Sequence, residues 1–357
     1  MNSFQEKIAA WLSRASPDRS INQCFGIPVI LATDIGLQRS ENQDRVAALR
    51  IRSKASGGRR LIAVAVADGM GGMRDGGRCA TLALSSFFYA LASYRGHDLQ
   101  QRAAAAIAYA NVEVFKFANG KGGATLSSVL LDHDLRPLVV NLGDSRVYAF
   151  GRDAKVERLT RDDSFAEAVG GHGRELLQFV GMGEGMRPHI QPVPATVRNL
   201  AITTDGIHFV EAATLERILS HANELKSASE RLAALARWCG GPDNASSAML
   251  DVQSLLQEIR RGEEDEIDLW DSFGYLTSIL IKDDINRGEN RATNPSAPPQ
   301  TAAVHEENSL SRPEGKEKAA SKKSKKSRKP VEPKENIQLE IQIERSPNSD
   351  ETDEDSG

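Results

Sequence analysis

Aspartates recur in this sequence at the points where apolar segments end. Asp68 ends the run "LIAVAVAD" and is followed by Gly69, and Asp205 ends "LAITTD" and is followed by Gly206. One Asp-Gly pair alone is the commonest signal for a turn and indicates nothing further. Residues at strand ends project from one rim of a sandwich, however, so several of them can converge. Converging carboxylates repel one another unless a cation joins them, and the set therefore suggests a metal site.

The metal that these residues favour is a hard divalent cation, Mg²⁺ or Mn²⁺, because the ligands would all be oxygens. The candidate ligands are Asp44, Asp68, Asp144, Asp205 and Asp243. A glycine after the acid lets the backbone approach closely, so the Gly69 carbonyl is a further candidate. Other signatures are missing from the sequence. "GMGGMR" has Arg74 at the third glycine position of GxGxxG, and neither GxxxxGK followed by Ser or Thr nor GxSxG occurs.

The elements that must position these residues follow one another in an irregular order. Segments that are β-branched or alternating predict strands at 27–34, 44–53 and 60–68, a meander of short strands over 124–160, and further strands over 189–205 and 245–252. Amphipathic segments predict helices at 77–94, 99–118 and 212–239. Strands, a helix pair, strands and then helices favour an antiparallel α+β sandwich over a doubly wound parallel sheet.

Composition limits the class of protein. The chain has 357 residues, 40% of them hydrophobic, which is enough for a full core. Its 45 Lys+Arg and 49 Asp+Glu give a net charge of −4, which argues against a polyanion-binding protein as a whole. Three distant cysteines without a CxxC pair predict no disulfide frame and no zinc site. A cytoplasmic location is expected, because the first residues lack a signal-peptide core and no run of about 18 apolar residues occurs.

A break in composition near residue 285 separates the apolar segments from a polar tail. Such a tail cannot offset its ordering entropy by burial, so disorder is predicted for 286–357. The tail contains a basic block, "SKKSKKSRK" (321–329), and an acidic end, "DETDEDSG" (350–357). These runs fit a solvated linker, or a docking segment for a partner or a nucleic acid. The predicted organisation is an N-terminal helical extension (1–24), a folded domain (25–285) and the tail.

A series of motifs, in this order, resembles those of PPM-type (type 2C) protein serine/threonine phosphatases of the bacterial branch. They are "TDIGLQRSENQD" (33–44), "VADGMGGMRDGG" (66–77), "GATLSSVLL" (123–131), "VNLGDSRVYAF" (140–150), "LTRDDS" (159–164), "ITTDGI" (202–207) and "GGPDN" (240–244). The resemblance covers about the first three-quarters of the chain. It implies the family's fold, a four-layer α-β-β-α sandwich of two antiparallel sheets flanked by helix pairs, which agrees with the predicted element order.

The resemblance also implies a role for each aspartate. Asp68 would bridge two metal ions, with the Gly69 carbonyl on one of them and Asp205 and Asp243 on the other. Asp44 would lie in the coordination shell or next to it, through metal-bound water. A third, weaker ion, typical of bacterial members, would be held by Asp205 together with the aspartate of the GDSR motif, Asp144.

The implied activity is the hydrolysis of phosphoserine and phosphothreonine in proteins. Divalent ions lower the pKa of bound water from about 15.7 towards roughly 7, so a hydroxide could attack phosphorus directly. Arg39 would grip the substrate phosphate, for which a guanidinium fork is suited, so Arg39 and Asp68 are the implied catalytic residues. The implied partners are a phosphorylated protein substrate and an opposing kinase, and a monomer is expected.

Two functions of other classes stay open on the sequence. The first is a catalytically weak or inactive phosphatase-fold module that binds partners through its charged tail. All the candidate metal ligands are still acidic, which argues against this reading. The second is a regulator associated with nucleic acid through residues 322–329, for which salt-sensitive DNA binding that is lost without the tail would be the sign.

The sequence departs from the family pattern in three places. Met70 stands where eukaryotic members have a histidine, although bacterial members share the methionine, and a thioether cannot protonate a leaving alkoxide. Asp163 replaces the histidine of the family's TxDHS motif, and we expect this motif to begin a surface helix. The segment 165–182 looks shorter than the family's usual flap. Its His172 fits either an acid at the rim of the site or a solvated loop residue, and we expect the second.

The closing strand of the domain has two candidates, 245–252 and 274–283. We expect Asp243, before the first of them, to be the metal ligand, with the later strand extending a sheet edge. The rival interpretation is that Asp268 or Asp271, in an acidic insertion before the second candidate, supplies the ligand.

Overall fold

The computed structural model describes residues 3–53, 60–70, 75–132, 136–152, 154–170, 175–260 and 265–279, together with a strand at 343–345. All of these belong to one of two compact units, which comprises Met1–Glu289 and Ile341–Gly357. The other unit, Asn290–Glu340, lies outside the described residues. The predicted disorder of 286–357 falls outside them as well, apart from 343–345, and stays a prediction.

The elements alternate along the chain much as the sequence predicts. The helices in the described residues are α1 (Ser3–Leu12), α2 (Gly76–Ser93), α3 (Leu99–Ala118), α4 (Phe165–Val169), α5 (Asp205–His208), α6 (Ala212–Ser220), α7 (Leu225–Trp238) and α8 (Val252–Glu258). The strands there are β1 (Arg19–Gln23), β2 (Val29–Asp34), β3 (Arg45–Ile51), β4 (Leu61–Ala67), β5 (Leu126–Asp132), β6 (Leu138–Leu142), β7 (Arg146–Phe150), β8 (Glu157–Arg158), β9 (His189–Pro192), β10 (Asn199–Thr203), β11 (Ala245–Asp251), β12 (Glu266–Asp271), β13 (Gly274–Ile279) and β14 (Ile343–Arg345).

The strands form two antiparallel sheets. The six-stranded sheet has the order β1-β2-β11-β10-β7-β8, and the eight-stranded sheet has the order β14-β13-β12-β3-β4-β5-β6-β9. Apolar side chains of the facing strands fill the space between the sheets. Helices α1, α2 and α3 pack on the outer face of the eight-stranded sheet, and α5, α6 and α7 pack on the outer face of the other. The predicted α+β class and four-layer sandwich are therefore confirmed.

Strand β4 shows why the sequence folds into these layers. Its side chains alternate between two cores, because successive residues of a strand point to opposite faces. Ala63 and Ala65 pack with the helices, whereas Val64 and Val66 pack against the facing sheet. A strand that is buried on both faces reads as an almost continuous apolar run, and this run places Asp68 just beyond the strand end.

The sequence predicted a helical extension over the first 24 residues, but the structure shows a helix followed by a strand. Helix α1 is followed by β1, which pairs with β2 at the edge of the six-stranded sheet, Arg19 opposite Asp34 and Gln23 opposite Ile30. The sequence of β1, "RSINQ", has no apolar alternation that would signal a strand. Its conformation comes from pairing with β2, which local propensity does not encode.

The two candidate closing strands occupy different sheets. β11 lies in the middle of the six-stranded sheet, between β2 and β10. β12 and β13 form a hairpin that extends the eight-stranded sheet beyond β3, as expected for the later strand. None of the helices in the described part of the chain combines the length and the apolar character that crossing a membrane requires.

Candidate functional site

The five aspartates predicted from the sequence come from separate segments and lie at one rim of the sandwich. Asp68 follows β4, and Asp205 comes two residues after β10. Asp44 directly precedes β3, while Asp144 and Asp243 each lie two residues before a strand, β7 and β11. We refer to these five residues as the aspartate cluster.

Strand register explains why the aspartate cluster forms. Arg45 of β3 is paired with Ala67 of β4, so the residues just beyond this pair, Asp44 and Asp68, lie next to each other. In the other sheet, Thr203 of β10 is paired with Arg146 of β7, which brings together the chain segments that carry Asp205 and Asp144. Antiparallel pairing thus converts four distant positions in sequence into neighbours at one edge.

Burial and the neighbouring carboxylates raise the pKa of three members of the cluster, Asp44, Asp68 and Asp144. Burial raises the pKa of Asp68 well above its usual value, and the other four members of the cluster raise it further, in the order Asp44, Asp205, Asp144 and Asp243. Burial likewise raises the pKa of Asp144 to about 7, with smaller contributions from the charges of Asp205 and Asp162. Ionised carboxylates in such a group destabilise one another unless they take up protons or a cation.

Asp44 is a deeply buried member of the cluster, and only one of its two carboxylate oxygens has a hydrogen-bond partner among the described residues. Its side chain is almost inaccessible, and Oδ2 accepts a hydrogen bond from Thr204 Oγ1 at 3.0 Å. Oδ1 has no hydrogen-bond partner within the described residues. Burial raises the pKa of Asp44 to about 7, opposed by the hydroxyls of Ser246 and Thr204 and assisted by the charges of Asp205 and Asp243. A buried acceptor without a partner is costly, and a cation would satisfy it.

The side chain of Asn244 holds the loop before β3 against the loop before β11. Its Oδ1 accepts the Gln43 backbone N–H at 2.8 Å, and its Nδ2 donates to the carbonyls of Ile35 and Glu41, both at 2.9 Å. These three bonds fix the relative positions of Asp44 and Asp243. The only signal for this role in the sequence is the place of Asn244 in "GGPDN".

The two Asp-Gly pairs of the cluster require glycine because backbones approach there. A Cβ at Gly69 would lie 2.3 Å from the Gly76 carbonyl oxygen, and one at Gly206 would lie 2.0 Å from that of Asn244. Both distances are far below a van der Waals contact between backbone and side chain. Gly69 packs against the backbone of Gly76 and Gln43, and the role of its carbonyl as a metal ligand stays a prediction.

Arg39 joins the aspartate cluster through Asp243. Its Nη2 donates to Asp243 Oδ2 at 2.6 Å, and the two side chains are 40% and 28% exposed. The residue predicted to bind phosphate and a residue predicted to bind metal are therefore paired with each other. An ion pair with this exposure contributes only about 0–1 kcal/mol, so a ligand can displace it easily.

The rival ligands Asp268 and Asp271 are bound to arginines. Asp268 Oδ2 lies 2.9 Å from Arg50 Nε and 3.3 Å from Arg52 Nη2, and Asp271 pairs with Arg14 through both oxygens. Charges paired in this way have no need of a cation. The structure brings Asp243, and not these two residues, into the aspartate cluster.

The "TRDDS" motif begins helix α4, as expected, because Ser164 Oγ accepts the Glu167 N–H at 3.3 Å. Asp163 is not on the surface, however, since only 7% of it is exposed. Of the other residues discussed from the sequence, Gly71, Gly72, Arg74 and His172 lie outside the described residues.

The aspartate cluster does not form a closed ligand cage. Among the described residues, no group of three or more His, Cys, Asp or Glu side chains is arranged so that it could hold a metal ion. The donor set nonetheless fits a hard cation. Mg²⁺ is usually bound by one or two carboxylates and keeps several waters, and Asp44 Oδ1 offers a buried oxygen in need of a positive partner.

Comparison with known proteins gives one family and several relatives. The family described as "Protein phosphatase 2C" matches residues 38–250. The chain is 28% identical over 266 residues to the serine/threonine protein phosphatase PstP of Mycobacterium tuberculosis, a match that covers 66% of this chain and 49% of PstP. The chain thus spans about half the length of the curated relatives it matches.

Solved structures with the same fold include bacterial phosphatases. The PPM Ser-Thr phosphatase MsPP from Mycobacterium smegmatis, in complex with cacodylate, is 26% identical with a TM-score of 0.52, covering 62% of this chain and 97% of MsPP. The catalytic domain of PstP in complex with two manganese ions is 25% identical with a TM-score of 0.52, covering 65% of this chain and 98% of that domain. Stp1 from Staphylococcus aureus, 17% identical with a TM-score of 0.55, covers 67% of this chain and 99% of Stp1 and supports the fold alone.

Proposed function

The chain belongs to the protein phosphatase 2C family, and from that premise we propose that it is a metal-dependent phosphatase that hydrolyses phosphoserine and phosphothreonine in proteins. The observation that carries this proposal is the aspartate cluster, in which burial and the neighbouring carboxylates raise the pKa of Asp44, Asp68 and Asp144 and so create a site that favours cations. The relatives named as serine/threonine phosphatases support the reaction. The two manganese ions bound to the PstP domain support a divalent cofactor, for which Mg²⁺ or Mn²⁺ suits the oxygen ligands.

The proposed ligands are those that the resemblance to the family implies. Two ions would be held by Asp68, the Gly69 carbonyl, Asp205 and Asp243, with Asp44 in the coordination shell or next to it, and a third ion by Asp144 with Asp205. When bound, the divalent cations supply a nucleophilic water near neutral pH and positive charge for the phosphate oxygens. Asn244 contributes by holding the loops of Asp44 and Asp243 together.

Arg39 is the proposed phosphate-binding residue. It reaches the cluster, as its contact with Asp243 indicates, and it is exposed enough to meet a substrate. Its guanidinium can donate two parallel hydrogen bonds to phosphate oxygens and neutralise part of their charge in the transition state. To do so it has to leave Asp243, and a metal ion on that carboxylate would favour the exchange.

The proton for the leaving serine or threonine oxygen comes from solvent in this proposal. Met70 follows the Asp68–Gly69 pair, and its thioether has no acidic proton to give. The proposed substrate is a phosphorylated protein, and the proposed counterpart is a serine/threonine kinase. A monomer in a reducing compartment such as the cytoplasm fits the free thiols of Cys24 and Cys79, both of which are buried.

The proposal is tested by hydrolysis of p-nitrophenyl phosphate and of a phosphoserine peptide, with and without Mn²⁺. Asp68→Asn and Asp205→Asn should each lower kcat by at least about a hundredfold, since each removes a charge on which the ions depend. The matched control is Asp98→Asn. Asp98 caps helix α3 through its side chain, a role that Asn fills equally well. Full activity in either cluster variant would overturn the proposal.

A further inference from the structure

Asp163 joins three segments of the chain through one buried carboxylate. Its Oδ2 accepts the backbone N–H of Gly143 at 3.0 Å. Its Oδ1 accepts from Gln178 Nε2 at 2.9 Å and lies 2.9 Å from His189 Nε2. The backbone adds two bonds, from the Asp163 N–H to the Gly143 carbonyl at 3.0 Å and from the Leu177 N–H to the Asp163 carbonyl at 2.7 Å. This position is the one at which the family pattern has a histidine.

The three segments differ in their relation to the aspartate cluster. Gly143 lies in the turn between β6 and β7, directly before Asp144. Leu177 and Gln178 belong to the segment that follows α4, residues 175–180, which we call the return segment. His189 is the first residue of β9, the edge strand next to β6. A single side chain therefore links a proposed metal ligand to two segments outside the cluster.

Hydrogen-bond chemistry explains why this position carries a carboxylate. The Oε1 of Gln178 accepts the Arg187 N–H at 2.7 Å, which fixes the amide so that its NH₂ group faces Asp163. Gly143 also presents an N–H to the same side chain. Two donors, and a third when His189 carries its proton on Nε2, call for an acceptor with two oxygens. An asparagine would place its own NH₂ group against one of these donors.

The turn that carries Asp144 is held from its other side as well. Gly143 has a φ of +103°, and a Cβ there would lie 2.7 Å from Thr125 Cγ2. Thr125 Oγ1 in turn accepts the Asp68 backbone N–H at 2.9 Å and shares a hydrogen bond with Ser145 Oγ, also at 2.9 Å. The turn thus lies between Thr125, which contacts Asp68, and Asp163, which contacts the return segment. The contacts of this turn therefore form a continuous path from Asp163 to the backbone of Asp68.

We propose that Asp163 is a positioning residue that couples the return segment and β9 to Asp144, and thereby sets the affinity of the metal ion that Asp144 holds. The effect of Asp163 on metal affinity rests on the proposed function. The structural coupling between the return segment and the Asp144 turn is independent of it.

The test compares three variants of the full chain by amide hydrogen exchange. Asp163→Asn should speed exchange at both Gly143–Ser145 and Leu177–Gln178 by about tenfold or more, because the charged acceptor of the Gly143 N–H and the Gln178 side chain is replaced by a neutral amide that opposes one of these donors. His189→Ala removes one donor from a half-exposed position and should act in the same direction with a smaller effect. Glu175→Gln, an exposed change in the return segment, is the matched control and should leave both sites unchanged. Faster exchange in the return segment alone, in both Asp163→Asn and His189→Ala, would overturn the proposal.

A second readout separates positioning from general stability. Asp163→Asn should raise the Mn²⁺ concentration for half-maximal activity by about tenfold while kcat at saturating Mn²⁺ stays within about twofold, and calorimetry should show weakening of the weakest binding event. A lower Tm with unchanged Mn²⁺ dependence would mean a structural role only and would overturn the positioning proposal. If the wild-type chain takes up no Mn²⁺, the proposed function fails, and the exchange experiment still decides the coupling.

Discussion

Asp44 in the aspartate cluster and Asp268 in β12 are buried to a similar degree, but their charges have very different surroundings. Asp268 contacts two arginines and also accepts a hydrogen bond from Thr277 Oγ1 at 2.7 Å. Asp44 has a threonine hydroxyl on one oxygen, no hydrogen-bond partner on the other among the described residues, and further carboxylates nearby. The first carboxylate supports the structure. The burial of the ionised Asp44 costs free energy, and only a cation or a proton removes this cost.

The same contrast holds for Asp271 and Asp68. Asp271 binds Arg14, whose guanidinium also stacks on Trp11 at 3.6 Å from the ring centroid, so this pair fastens the N-terminal segment to β12. Asp68 is surrounded by the carboxylates of the cluster. Burial alone therefore does not distinguish a structural aspartate from a functional one in this fold. The sign of the neighbouring charges does.

The largest expected effects on activity and stability come from replacing Asp44, in the cluster, and Asp268, paired with arginines, by asparagine. Asp44→Asn should lower metal-dependent activity by about a hundredfold and stabilise the metal-free protein by roughly 1–3 kcal/mol, because it removes a repelled charge. Asp268→Asn should leave kcat within about twofold but destabilise the protein by roughly 2–4 kcal/mol, because Arg50 and Arg52 lose their buried partner. Activity assays and urea unfolding on both variants would measure this, and equal effects on both quantities would break the distinction.

A somewhat smaller effect is expected from pH in the absence of metal. The pKa of Asp44 and that of Asp144 rise from 3.8 to about 7 on folding, so the folded state binds more protons than the unfolded state between these values. The free energy of unfolding should therefore fall as the pH rises through this window. Urea unfolding in a chelator at several pH values measures it. Asp44→Asn should flatten the slope, and a stability that instead rises with pH would contradict the assignment.

The smallest effect concerns Arg39, whose guanidinium pairs with the carboxylate of Asp243. Arg39→Ala should reduce kcat/KM for a phosphopeptide by about tenfold, as a charge-assisted contact to phosphate is lost. The same change should tighten Mn²⁺ binding by about threefold, because Asp243 is released from an exposed ion pair. Arg136→Ala, at another exposed arginine, is the control for both measurements. Weaker Mn²⁺ binding in Arg39→Ala would show that the arginine supports the metal instead of competing with it.

Local signals made much of the fold and the cluster predictable. Strand β4, helices α2 and α3 and the Asp-Gly turns carry their own periodicity and turn chemistry, so their places could be read from the sequence. The polar strand β1 could not, since its conformation depends on pairing with β2. The choice between Asp243 and Asp271 also depends on contacts distant in sequence, because Arg14 binds both oxygens of Asp271 whereas Arg39 has a single, more exposed contact with Asp243.

Two positions next to the cluster show the same limit. Asn244 acts through carbonyl and amide groups more than 200 residues earlier in the chain. The burial of Asp163 depends on Gln178 and His189, whose proximity no local pattern indicates. Sequence therefore predicts which residue types meet at the rim, whereas the groups that hold them there become visible only in the fold.

The most direct measurement is calorimetric titration of Mn²⁺ into the metal-free full chain near pH 7, repeated in buffers with different heats of ionisation. If the cluster gathers to bind cations, the wild type takes up at least two ions and releases protons as it does so, since Asp44 and Asp144 have a pKa of about 7 without metal. Asp68→Asn should lose at least one binding event. No uptake by the wild type, or the same stoichiometry in Asp68→Asn, would contradict the account.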